Sequence, residues 1–455
     1  MKKAVVVTIL LSVAAALVTA CGVLLCIGLS EHAPQEGYEG WNMMFMMPES
    51  AVSIAAVTLV ITDTACIVLA VMLSVSYARS VRALKKSEQD NKKTRFSRLI
   101  GLDEKYAGKR GEENAMPFND RIPLREFCDG FRGFAASSMG LYYEPSVIRS
   151  YIAGLSCTHL MILQGISGTG KTSLPFAFGK YVCSDAAVAP VQPGWKDRSD
   201  LLGYYNEFTD SYTETELLYK LYESNYTNDI CTVVLDEMNI ARVEYYFAEF
   251  LSLLELPEGT SRQIRVTADS RPSDPALFDG GTLRLPGNIW FVGTANNDDS
   301  TLAISDKVYD RAFVINLDSR SRPFEAEPTP RSHISADRLK EMFREAKLSH
   351  PLSDAIRSAL EKTDAYLTEN LGIASGNRVL RQAESFVPVY VACGGTEEEA
   401  ADILICRKML RKLEGINPAR CRAEAGGLTG FLTGLFGEGA LPESLGFIEK
   451  YRAVN

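Results

Sequence analysis

Residues 165–172 read GISGTGKT, a complete G-x-x-x-x-G-K-[ST] match. The motif follows the apolar run HLMILQ and precedes SLPFAFGKYV, so strand, loop and helix are expected in that order. Glycines let successive backbone N–H groups wrap a β-phosphate, and the helix N-terminus adds the positive end of its dipole. The cradle comprises Gly165, Ile166, Ser167, Gly168, Thr169, Gly170, Lys171, Thr172 and Ser173. Lys171 is expected to reach the β- and γ-phosphates, and Thr172 to ligate Mg2+. Pro175 falls in the first helical turn, where its missing N–H costs little.

A phosphate loop alone hydrolyses nothing. The second half of a hydrolytic site is expected at 231–237, CTVVLDE, an apolar strand ending in two carboxylates. Asp236 would hold the Mg2+ shell and Glu237 would polarise the attacking water. A third strand, NIWFVGTAN, ends in Asn296, whose side chain could orient that water. Arg311 precedes a further apolar strand. It could point into a neighbouring subunit's nucleotide, worth on the order of 10³–10⁵ in rate. It could instead form a surface ion pair with Asp310 or Asp306. Arg378 opens a helix at SGNRVLRQAESFVPVY and is suited to meet a γ-phosphate from a lid.

Taken in order, these segments resemble an AAA+ ATPase module. LDEMNIARVEYYFAEFLSLLE (235–255) is similar to the MoxR/McrB-type, dynein-related group, and so is GTANNDDSTLAISDKVYDRAF. By position, Asn296 matches that group's first sensor, Arg311 its trans-acting finger and Arg378 its second sensor. VQPGWKDRSDLLGYYN (191–206) is similar to the group's segment after the second strand, where D-L-x-G leads toward an inserted element. The resemblance covers roughly residues 125–415. It implies ATP as substrate, with GTP possible, Mg2+ as cofactor, and a homo-oligomeric ring, a hexamer in the family pattern. It further implies remodelling of a protein partner. A nucleic-acid restriction motor that recruits a separate nuclease is the alternative, and a nucleotide switch with negligible turnover is a third. Relatives often carry consecutive arginines in the finger region, whereas Asp310 and Ala312 flank a single Arg311 here. No DNA-recognition domain comparable to that of the restriction relatives is expected ahead of the module, where the apolar runs lie.

What precedes it is apolar. Residues 4–29 carry no charge and 51–77 carry only Asp63. Both exceed the roughly 20 residues that cross a bilayer. Lys2 and Lys3 precede the first run, the loop between the runs holds four Glu and no Lys or Arg, and ARSVRALKKSEQDNKKTRFSR follows. The positive-inside rule then expects a transmembrane hairpin at 1–78, with everything after it cytoplasmic and membrane lipid as a partner. VTAC at 18–21 resembles a lipoprotein processing site, but the apolar run continues beyond Cys21. Asp63 is either a polar helix–helix contact or a tolerated protonated acid. Residues 79–124 read as a charged linker, either self-solvating or lying along an anionic leaflet.

The rest is expected to be α/β: a nucleotide-binding core at 125–320 with a parallel sheet flanked by helices, then a helical lid at 321–415. The Gly-rich tail at 416–455 has no assigned role beyond docking on the lid. Between 256 and 288 two alternating runs suggest a hairpin whose Arg262, Arg265 and Arg271 either meet an acidic ligand or face solvent. Trp195 is either a partner contact or ordinary packing. A net charge of −9 gives no overall footprint for nucleic acid, and ten cysteines with four histidines show no metal-ligand spacing.

Overall fold

The structure is a computed structural model. It describes residues 94–107, 117–257, 260–296 and 301–453, with Ala20, Gly22 and parts of 57–82. The chain divides into two units after Thr94. In the first, the described residues between 57 and 82 are helical and expose Val60, Ile61, Val68, Met72 and Leu73. Among the described residues no helix is long and apolar enough to cross a membrane. The expected two-span hairpin is therefore not found among them. Asp63, Cys21 and nearly all of the run at 4–29 lie outside the described residues.

The second unit begins with α1 (Ser97–Ala107), where the sequence suggested only linker. Phe96, Leu99 and Leu102 recur at helical spacing and are buried. The Glu214 carboxylate accepts from the backbone N–H groups of Ser97, Arg98 and Leu99 at 3.1, 2.9 and 2.9 Å, satisfying orphan donors at the positive end of the helix.

Helices α2 (Leu124–Met139) and α3 (Pro145–Cys157) lead to β1 (Leu160–Gly165), buried throughout. Then follow α4 (Ser173–Tyr181), β2 (Ala187–Pro190), the short α5 (Arg198–Leu202) and the antiparallel pair β3 (Gly203–Asn206) and β4 (Ser211–Glu214). Asp197 and Asp200 form the capping box of α5, and Trp195 packs edge-on against Tyr246 at 5.4 Å, which fits the packing reading. Next come α6 (Glu216–Glu223), β5 (Cys231–Asp236), α7 (Val243–Tyr246) and α8 (Ala248–Leu254).

The expected hairpin is β6 (Gln263–Arg265), β7 (Phe278–Asp279) and β8 (Thr282–Arg284), antiparallel as read. Its connecting loop is held down. The buried Arg95 guanidinium pairs with Asp269 at 2.6 Å and Asp274 at 2.8 Å, and Arg271 pairs with Asp210 at 2.7 Å. The Arg271 side chain is thus engaged within the chain.

With β9 (Ile289–Asn296), the short helix α9 (Asp306–Tyr309) and β10 (Phe313–Asn316) the main sheet is complete. Its order is β10-β1-β9-β5-β2, and every neighbour pair is parallel. Helices cover both faces, so the strands read as near-continuous apolar runs. One consequence of this order is that β9 lies between the phosphate-loop strand and the acidic strand. At Gly293 a Cβ would meet Met238 Sδ at 2.0 Å, so only glycine lets that packing form.

The lid holds α10 (Ala336–Ser349), α11 (Asp354–Leu371), α12 (Asn377–Ala392) and α13 (Glu397–Leu404), then a π-helical turn at Ile405–Met409 and a 3-10 turn at Leu410–Gly415. The tail is helical. It forms α14 (Pro418–Phe436) and α15 (Pro442–Ala453), with Leu428, Leu432, Leu441 and Ile448 buried. The Asp402 carboxylate accepts from the N–H groups of Glu443 and Ser444, both at 2.8 Å, at the start of α15.

Candidate functional site

The loop between β1 and α4 has the shape its glycines allow. Gly165, Gly168 and Gly170 sit at φ 140°, 77° and 91°. A Cβ at Gly165 would lie 2.3 Å from the Leu317 carbonyl oxygen. The buried Lys171 ammonium donates to the carbonyls of Gly165 and Ile166 at 3.0 and 2.7 Å. A lysine folded over its own loop can exchange those carbonyls for phosphate oxygens with little movement. Tyr143 donates to the Gly170 carbonyl at 3.1 Å and steadies the far side of the loop.

Across one strand, the Thr172 hydroxyl donates to Asp236 Oδ1 at 2.7 Å. Thr294 on β9 donates to the same oxygen at 2.7 Å and accepts from the Glu237 N–H at 2.8 Å. Asp236 thus has two hydroxyls on one oxygen, a hydroxyl–carboxylate pair that suits an octahedral Mg2+ keeping most of its waters. Glu237 is exposed and stands at φ 52°, ψ 46°, a left-handed conformation that side chains other than glycine adopt at a cost.

Asn296 is half-buried at the end of β9, level with Gly165 in the register. Its backbone carbonyl accepts from the Asn239 amide at 3.0 Å and from the Thr301 hydroxyl at 3.0 Å, and Asn239 is itself buried. The phosphate loop, Asp236, Glu237 and Asn296 are therefore brought together at the carboxyl ends of three adjacent strands.

Arg311 and Arg378 are not brought to that place. Arg311 lies two residues before Phe313, which pairs with Met161, four residues below Gly165. At ~3.3 Å per residue it sits about 20 Å from the loop along the strand direction. Its Nη2 contacts Glu255 Oε2 at 2.5 Å, and Arg378 Nη2 contacts Glu255 Oε1 at 2.7 Å. One carboxylate thus gathers both guanidinium groups. Its Arg311 hydrogen bond holds Glu255 below the usual carboxylate range, against the opposing effect of burial. Among the described residues, the buried Arg311 Nε and Nη1 have no hydrogen-bond partner. The expected surface pairing of Arg311 with Asp310 or Asp306 is replaced by this pairing with Glu255. Arg378, expected to meet a γ-phosphate from a lid, contacts Glu255 here and lies 3.9 Å from Asp310.

Three groups escaped the sequence reading. Thr294 had no motif to mark it. Arg320 donates from Nε to the Gly168 carbonyl at 2.8 Å, laying its guanidinium over the phosphate loop. The only signal for it was a basic SRSRP segment just after β10. Glu255 was visible only as the last letter of a resembling helix.

Fold and site together define a parallel-sheet phosphate-loop nucleotide-binding architecture. No family model matches the chain, and no curated protein sequence matches it. Among solved structures it is similar to a provisionally assigned ATPase from Cytophaga hutchinsonii, at 13% identity and a TM-score of 0.43, covering 77% of this chain and 97% of that one. It is also similar to a full-length MCM homologue from Methanopyrus kandleri, at 14% identity and a TM-score of 0.34, covering 66% of this chain and 63% of that one. At these scores the likeness carries no functional argument, and the function is argued from the site.

Proposed function

We propose that the chain is an AAA+-type nucleoside triphosphatase that binds ATP, or GTP, with Mg2+ and hydrolyses it only when copies assemble. The observation that carries this is the convergence of Thr172 and Asp236 at 2.7 Å beside three positive-φ glycines. Gly165 to Ser173 hold the phosphates through backbone N–H groups, and Lys171 neutralises their charge. Thr172 and Asp236 would hold Mg2+, which would supply charge withdrawal at the β- and γ-phosphate oxygens. Glu237 takes up the proton side of the attacking water, and Asn296 orients that water.

Arg311 and Arg378 stand at the opposite end of the sheet from their own loop, which supports a role toward a neighbouring copy's nucleotide. That arrangement favours a homo-oligomeric ring, for which a hexamer is the working number. Sequence alone supports the membrane part of the reading. The apolar runs at 4–29 and 51–77 would tether the engine to lipid, with the basic segment after them on the engine's side. The work done would be remodelling of a protein partner.

A second reading, a nucleic-acid motor, draws on one observation. Arg262, Lys340, Arg344 and Lys347 line a cleft of about 390 Å³ between α10 and the foot of the sheet. Phosphate release measured with ATP and with GTP, with and without DNA, separates these readings. The proposal expects Mg2+-dependent release by the parent, loss in Glu237→Gln, and no stimulation by DNA. Turnover that survives Glu237→Gln would overturn the assignment of the site.

A further inference from the structure

We propose that Lys408, on the π-helical turn of the lid, is a positioning residue that fixes the turn carrying Arg311 and so lets the lid govern what Arg311 does to a neighbour. This rests on the trans reading of Arg311 given above.

The ammonium of Lys408 is buried and donates to two backbone carbonyls, Tyr309 at 3.0 Å and Ala312. Those two carbonyls bracket Arg311. The Tyr309 carbonyl ends α9, where carbonyls lack intrahelical partners and a cation is favoured, and the Ala312 carbonyl immediately precedes β10. Arg411, one turn further along the lid, stacks over the Tyr309 ring at 3.9 Å and pairs with Asp306 at 2.8 Å. The turn from 306 to 312 is thus gripped from the lid at both ends.

The same turn reaches the phosphate loop. The Tyr309 hydroxyl donates to Gln164 Oε1 at 3.0 Å, and Gln164 immediately precedes Gly165. A shift of the lid would therefore be felt at Arg311 and at the base of the phosphate loop through one short segment. The π-helical geometry marks the place, since single π turns concentrate at functional sites and cost the helix its regular hydrogen bonds. Burial lowers Lys408 from the usual 10.5 to about 7. Around it stand Cys157 from α3, Asp310 from the turn itself, Arg411 from the lid and Arg378 from α12. Cys157 is held neutral by its own burial, which pushes its thiol up to about 12. The charge state of Lys408 is therefore poised near neutrality.

The test is complementation between full-length copies. Arg311→Ala copies keep their own site but offer nothing to a neighbour, whereas Glu237→Gln copies offer Arg311 but cannot turn over. Mixing the two should restore phosphate release. Donors carrying Glu237→Gln with Lys408→Met should restore at least tenfold less, while remaining folded and still binding nucleotide. Donors with Lys408→Arg should recover part of the effect and lose its decline as pH rises through about 7. Asp306→Asn, at an exposed position, is the second arm should Lys408→Met fail to fold; it should weaken restoration several-fold. Full restoration by the Lys408→Met donor, or by Asp306→Asn where the former does not fold, overturns the positioning role. Failure of the plain Glu237→Gln donor to restore anything overturns the trans reading beneath it, and the two failures are distinguishable.

Discussion

Asp236 Oδ1 lies 2.7 Å from the Thr172 hydroxyl, joining the end of the acidic strand to the start of the helix that follows the phosphate loop. The contact is a hydroxyl–carboxylate pair of the kind that would hold a divalent cation. Asp236→Asn should raise the Mg2+ concentration for half-maximal turnover by at least about 10–100-fold, the scale seen when even outer partners of a metal are lost. A Mg2+ titration of phosphate release measures it.

Lys171 rests on two carbonyls of its own loop, which bound nucleotide would replace with charged oxygens. Lys171→Ala should weaken nucleotide binding by about 10–100-fold, the equivalent of ~1.5–3 kcal/mol for a charge-assisted hydrogen bond. Binding of a fluorescent nucleotide reads this directly. An unchanged dissociation constant would show that the loop is not the phosphate site.

Arg320 lies over Gly168 in the same chain and should act in cis. Arg320→Ala is expected to lower nucleotide affinity about 2–5-fold, since the side chain is exposed and its charge is screened by solvent. The dependence of turnover on protein concentration should not change. A changed concentration dependence with intact affinity would move Arg320 to the assembly side of the mechanism.

Glu255 occupies both Arg311 and Arg378. Neutralising it frees two cations for an incoming polyphosphate, so Glu255→Gln should lower the protein concentration for half-maximal turnover by about 2–5-fold, the scale of a partly exposed ion pair. A rise in that concentration would mean that Glu255 aims the arginines rather than withholding them.

The burial of Lys408 has a signature in stability. Its folded value near 7 lies below the usual 10.5, so between those limits the unfolded chain binds more protons. This group's contribution therefore favours the folded state increasingly as pH rises from about 7 to 10. Urea midpoints of the parent minus those of Lys408→Met should rise across that window. A flat difference would contradict burial of the charge.

How far the sequence spoke depended on whether a local pattern carried the physics. β1, β5 and β9 were legible because strands buried on both faces read as unbroken apolar runs ending in motif residues. The helix at Ser97–Ala107 was obscured by the charged segment around it, although Phe96, Leu99 and Leu102 have helical spacing. The long helix Pro418–Phe436 was not legible in the Gly-rich tail because Gly426, Gly427, Gly430 and Gly434 weaken a helix on their own. Its order comes from Leu428 and Leu432 packing on the lid, a tertiary effect. At the site, Lys171, Thr172, Asp236 and Glu237 sit in contiguous motifs. Glu255 meets Arg378 across 123 positions, and no local pattern reports such a contact.

The most direct measurement of the composite site is phosphate released per chain per second as a function of protein concentration. The account expects a steep rise to a plateau for the parent, and an unresponsive baseline for Arg311→Ala that nonetheless binds nucleotide with parental affinity. A rate per chain that is constant down to concentrations where only monomers remain, or an Arg311→Ala curve that follows the parent, would contradict it.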